Sequence, residues 1–106
     1  MKYREKLEKR IQDAGTNLCV GLDPRPEYIE GEIREFLLRV VDETAPFAAA
    51  FKPNSAYFEA LGVEGMLILE SVMDAIPDDI PTILDCKRGD IGETQKYYAR
   101  AAYDVF

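Results

Sequence analysis

The sequence predicts a parallel α/β fold, and three observations carry that prediction. Short apolar runs of strand type alternate with stretches of helical period along the chain. These runs recur at the spacing of a βαβ unit: 29 residues separate Asp23 from Lys52 and 35 separate Lys52 from Lys87, against ~30 for such a unit. Each run ends in charge, at Asp23, at Lys52, and at Asp85 with Lys87. Parallel strands with right-handed crossovers would deliver all of these charges to one rim, the carboxyl ends of the strands, where α/β folds build their sites.

Each element has its own signal. Tyr3, Leu7 and Ile11 share one face of a helix over residues 3–14, which Ala14-Gly15 terminates. A first strand is expected from about Asn17 to Leu22, closing in Gly21-Leu22-Asp23-Pro24, and Pro24 and Pro26 enforce an extended loop after it. Ile33, Phe36, Leu37, Val40 and Val41 mark a helix from about Gly31 to Glu43. The second strand reads from Phe47 to Phe51 and ends in Lys52-Pro53-Asn54. Asn54 or Ser55 can cap a short helix through Ala60, broken at Gly62. A longer helix follows from Val63 to Ile76, with its methionines as core filler. Thr82, Ile83 and Leu84 read as a short buried third strand. The last helix starts near Ile91 or Gly92 and offers Tyr97, Tyr98, Ala101, Ala102 and Val105 for packing. There is no linker, repeat or low-complexity stretch, so residues 1–106 are read as part of a single domain.

Composition narrows the function. The chain has 13 basic and 20 acidic residues, a net charge of −7 with the signs intermixed and no basic stripe, which argues against binding DNA or RNA. A small anionic ligand remains compatible with locally placed cations. No apolar run reaches the ~18 residues of a membrane span, and the polar start is not a signal peptide, so a soluble, cytoplasmic protein is expected. Cys19 and Cys86 lie inside strand signals, lack metal-ligand spacing and have no histidine to join, so they are expected as buried free thiols. Without histidine, any catalysis must run on carboxylates and lysines.

The densest chemistry lies in Asp85-Cys86-Lys87-Arg88-Gly89-Asp90. Strand alternation points Asp85 and Lys87 to one face and Cys86 to the other. Charges at the end of a buried strand cost free energy unless paired or used. Structural readings exist for each: Asp90 with Glu93 fits a capping box, and Asp85 with Lys87 fits an ion pair. The two earlier strand ends, charged in the same way, favour a shared site. The loop after the first strand, Gly-Leu-Asp-Pro-Arg-Pro, contains neither G-x-G-x-x-G nor a Walker sequence, so a β/α barrel is preferred over a nucleotide-binding sheet.

Gly21-Leu22-Asp23-Pro24, Phe51-Lys52-Pro53-Asn54 and the run from Asp85 to Thr94 resemble orotidine 5′-phosphate decarboxylases, and Arg88-Gly89 between Lys87 and Asp90, with the Phe-Lys-Pro-Asn sequence, resembles one bacterial subgroup. The D-x-K-x-x-D core is shared with hexulose-phosphate synthases and ketogulonate-phosphate decarboxylases; the rest of the pattern is more specific. The resemblance implies a (β/α)8 TIM barrel, a homodimer needing neither cofactor nor metal, that converts orotidine monophosphate to uridine monophosphate and carbon dioxide. It implies that Asp23 and Lys52 contact the ribose hydroxyls, that Asp85 sits beside the substrate carboxylate, and that Lys87 is the proton donor. Asp90, Ile91 and Thr94 would reach into the neighbouring subunit's site. A barrel of this kind takes ~250 residues; the 106 here supply an amino-terminal helix and three β/α units, and alone are expected to be incomplete and inactive. Two alternatives stand beside this reading: a magnesium-dependent sugar-phosphate lyase or decarboxylase of a sister family, and a non-catalytic fragment that keeps the motif. A Schiff-base aldolase fits less well, because Lys87 has carboxylate neighbours.

Overall fold

The computed structural model describes residues 1–106. Helix α1 (Tyr3–Ala14) ends at Gly15, whose φ of 66° is the left-handed cap that a residue without a Cβ adopts at no steric cost. Strand β1 (Cys19–Leu22) pairs in parallel with β2 (Ala50–Pro53), in the register Gly21 to Lys52 and Leu22 to Pro53. Helix α2 (Ile33–Thr44) connects them; α3 (Ser55–Glu59) and α4 (Gly62–Ala75) follow β2. Helix α5 (Glu93–Arg100) continues into a π turn at Ala101–Val105.

A third extended segment, residues 81–85, runs parallel to β2 without becoming a continuous strand. Phe51 N–H donates to Pro81 O at 3.2 Å and Ile83 N–H to Phe51 O at 2.8 Å; then Asp85 N–H donates to Pro53 O at 3.0 Å. The rung between these needs an N–H at position 53 to reach the Ile83 carbonyl, and Pro53 has none. The expected strand therefore survives as two isolated bridges, Phe51 to Thr82 and Asn54 to Asp85. Nor is it buried: Ile83 is 41% exposed, because the segment forms the edge of the sheet.

Alternation divides the strands into two faces. Val20, Leu22, Phe51 and Leu84 face the helices and meet Leu37, Val41, Phe58, Ile68, Leu69 and Val72 in one core. Helices cover this face alone, and the molecule measures only 17 Å in its thinnest direction. Helix α1 closes the amino-terminal end of the sheet. Its Arg10 donates to Ala48 O at 2.8 Å and Ala45 O at 2.7 Å, and the Tyr3 hydroxyl donates to Thr82 O at 3.1 Å.

Three further expectations are corrected. Phe47 belongs to a 3₁₀ turn (Ala45–Phe47), not to β2, and is 65% exposed; Pro46 suits a first helical turn and cannot donate to a ladder. Cys19 is a free thiol but an exposed one, since it lies on the uncovered face of β1. Tyr97 in α5 and Val105 in the π turn after it are mainly exposed, so this terminal segment packs only lightly.

Candidate active site at the carboxyl rim

The rim is built by register. Leu22 pairs with Pro53, so Asp23 falls level with Asn54, and Asn54 bridges to Asp85. Two backbone bonds continue the row past the strand ends: Asn54 N–H to Leu22 O at 3.3 Å and Ser55 N–H to Asp85 O at 3.0 Å. Asp23, Asn54 and Asp85 thus form one row across three chain segments. Alternation puts Lys52, two residues before Asn54, on the same face as Asp85, whereas Lys87 lies just past the last bridge, exposed, in a segment without regular structure. Asp23 Oδ2 lies 3.7 Å from where a Cβ on Gly21 would stand, so its carboxylate lies over the uncovered face. Cys86 turns the other way, lining an apolar cleft with Met66, Leu69 and Leu84.

Asp23, Lys52, Asp85, Lys87 and Asp90 make no ion pair within 4.0 Å. The paired cation of the motif is Arg88, which binds the Glu59 carboxylate at the end of α3 and donates from Nη1 to Lys87 O at 2.9 Å. Nothing in the sequence spacing signalled this partner, which lies 29 residues away on a helix. A second contact of this kind joins Arg25, after β1, to α3: its Nη2 donates to the Tyr57 hydroxyl at 3.3 Å. That bond, and the charges of Glu27 and Asp23, hold the Arg25 pKa above its usual value.

Asp90 does not cap α5. Its Oδ1 accepts from Ile91 N–H at 2.7 Å, its own N–H donates to Gln95 Oε1 at 2.8 Å, and Gly92 occupies the cap position without a side-chain bond. Ile91 and Thr94 lie beyond it, both exposed, Ile91 by 88%. Asp90, Ile91 and Thr94 therefore stand out from the row rather than in it. The volume lies elsewhere: a groove of about 850 Å³ follows the free edge of residues 81–85 between α1 and α5. Of the five charged residues, only Asp23 lines one of the three principal cavities, a cleft of about 300 Å³ against α2.

Chemically, the row offers two carboxylates with the Lys52 ammonium on one open face and the exposed Lys87 just beyond it, without an imidazole. It suits binding hydroxyls, opposing an anion and donating a proton.

The chain is 44% identical to the orotidine 5′-phosphate decarboxylase of Dehalococcoides mccartyi over 98% of its own length and 39% of that protein. It is also 44% identical to the one from Deinococcus radiodurans, covering 92% of the chain and 37% of the relative. The structure of Leishmania donovani OMP decarboxylase superposes with a TM-score of 0.88 at 41% identity, over 99% of this chain and 41% of that one. The chain thus spans about two-fifths of the length of these relatives, their amino-terminal portion. Its helices and parallel strands are those of the first β/α units of a (β/α)8 barrel. Residues 16–105 match the orotidine 5′-phosphate decarboxylase / HUMPS family, and the chain belongs to that family.

Proposed function

We propose that this chain supplies the amino-terminal part of an orotidine 5′-phosphate decarboxylase, a cytoplasmic homodimer that forms uridine monophosphate and carbon dioxide. The observation that carries this reading is the row Asp23–Asn54–Asp85 with Lys52 on its face, in a chain 44% identical to a relative bearing that name. Asp23 and Lys52 bind the ribose hydroxyls, and Asp85 stands against the substrate carboxylate. As the carbon–carbon bond breaks, its electron pair stays on the pyrimidine carbon and carbon dioxide leaves. The Lys87 ammonium then gives its proton to that carbon. A fixed positive charge beside developing negative charge lowers the barrier because it needs no reorganisation at the moment of reaction. Asp90, Ile91 and Thr94, exposed beyond the row, reach the neighbouring subunit's site.

The test is turnover by the full-length protein. Orotidine monophosphate should be converted stoichiometrically to uridine monophosphate and carbon dioxide, at a rate unaffected by a chelator. Activity confined to a sugar phosphate and abolished by EDTA would assign the chain to a sister lyase instead.

A further inference from the structure

Helix α3 is gripped from both sides by arginines of the neighbouring loops. From the β1 loop, Arg25 donates to the Tyr57 hydroxyl, with its guanidinium carbon 5.7 Å from the ring centre. From the motif loop, Arg88 pairs with Glu59, both side chains being more than one-third exposed. The helix is itself well seated. Asn54 caps it by accepting from Ala56 N–H at 3.1 Å, Ser55 N–H reaches Asp85 O, and Phe58 is fully buried. The segment 86–92 has no regular structure of its own, and residues 23–25 are likewise irregular.

We propose that α3 is a brace for the rim, with Glu59 and Arg88 as positioning residues for Lys87, and Tyr57 and Arg25 as positioning residues for Asp23. The division of charge supports this. Of the cations in the motif loop, Arg88 is paired and Lys87 is not, so the guanidinium fixes the loop while the ammonium stays free to face a ligand. A planar guanidinium is suited to that work because its donors are held in a fixed fork. The two grips act on different groups. Arg88 adjoins Lys87 and holds its carbonyl, so releasing it displaces the ammonium. Arg25 stands two residues from Asp23, so releasing it loosens a binding carboxylate. Resting on the decarboxylase reading, the brace separates the two kinetic parameters.

The experiment uses the full-length enzyme. Glu59→Gln and Arg88→Gln should each lower kcat about tenfold while KM stays within roughly threefold, since small misplacements of a reacting group are costly. Arg25→Gln and Tyr57→Leu should do the reverse, raising KM several-fold with kcat nearly unchanged. Because both pairs are partly exposed, the melting temperature should hardly move. The exchanged pair, Glu59→Arg with Arg88→Glu, should recover more activity than either single change predicts. A kcat within twofold of wild type in both Glu59→Gln and Arg88→Gln, or no recovery in the exchanged pair, overturns the brace. If the wild-type protein does not decarboxylate, the reaction is what falls. The brace is then decided by amide exchange: faster exchange over residues 86–92 in Glu59→Gln upholds it, and unchanged exchange overturns it.

Discussion

Gly65 presses its bare Cα against the backbone of Phe58: a Cβ there would fall on the Phe58 carbonyl oxygen and 2.6 Å from the Leu61 Cβ. This contact seats α3 on α4 and holds the brace in place. In an open helix, Gly→Ala would stabilise by up to ~1 kcal/mol. Here the obstacle is backbone, which cannot swing aside, and overpacking costs about 1–3 kcal/mol. Gly65→Ala should therefore destabilise, read as a lower urea midpoint at unchanged slope. A stabilised variant would mean that α3 moves freely over α4.

Asn54 joins the row of the rim to the start of α3. The helix has five residues, far below the ~12 at which isolated helices become even marginal, so its cap matters. Asn54→Ala should cost about 1 kcal/mol, whereas Asn54→Asp, which keeps an accepting oxygen, should cost less. The Ala56 amide should exchange faster in the alanine variant alone. Equal exchange in both variants would remove Asn54 as the cap.

Legibility in the sequence followed the range of the interaction. Helices α1, α2 and α4 were readable to within a residue or two, because their apolar spacing and the Gly15 and Gly62 breaks are local. The common rim of Asp23, Lys52 and Asp85 was readable although it is long-range, because βαβ units repeat at a regular spacing and bring strand ends together. The third strand was misread because its ladder fails at Pro53, on a different segment, and its burial depends on what covers the edge. Pro46 was the local signal that should have kept Phe47 out of β2. The Glu59–Arg88 and Tyr57–Arg25 contacts had no signature, since side-chain contacts between a helix and a distant loop have neither period nor fixed spacing. Asp90 and Glu93 matched a capping box in pattern, but Gly92 takes the cap and leaves Asp90 to its own turn.

Tyr3 ties α1 to the edge segment, and burial pushes its phenol above the usual 10.0, with the charge of Cys19 adding to the rise. A folded pKa raised above the unfolded one means that the neutral phenol is favoured in the native state. Its contribution is complete below the unfolded pKa of ~10 and is lost as pH climbs through the higher folded value. Stability should thus fall in the alkaline range more steeply in the wild type than in Tyr3→Phe, which has no proton to lose. Parallel stability curves for the two proteins above ~pH 10 would show that the phenol makes no such contribution.

Lys87 carries the strongest prediction. On the proposed mechanism, Lys87→Ala in the full-length protein would remove the proton donor and leave Asp85 facing the substrate carboxylate with no ammonium beside it. Losing a general acid costs about 10²–10⁴-fold, and losing the compensating charge adds to that. Substrate binding should weaken too, because like charges are left unbalanced beside each other. Lys87→Arg should not rescue turnover: the guanidinium is larger and gives up its proton far less readily. Stability separates this role from a structural one. The Lys87 side chain has no ion-pair partner within 4.0 Å, so its removal should leave the folded fraction nearly intact. The deciding quantity is kcat of Lys87→Ala per folded molecule. A loss smaller than about tenfold would take Lys87 out of the proton-transfer step, because even a weak general acid contributes more than that.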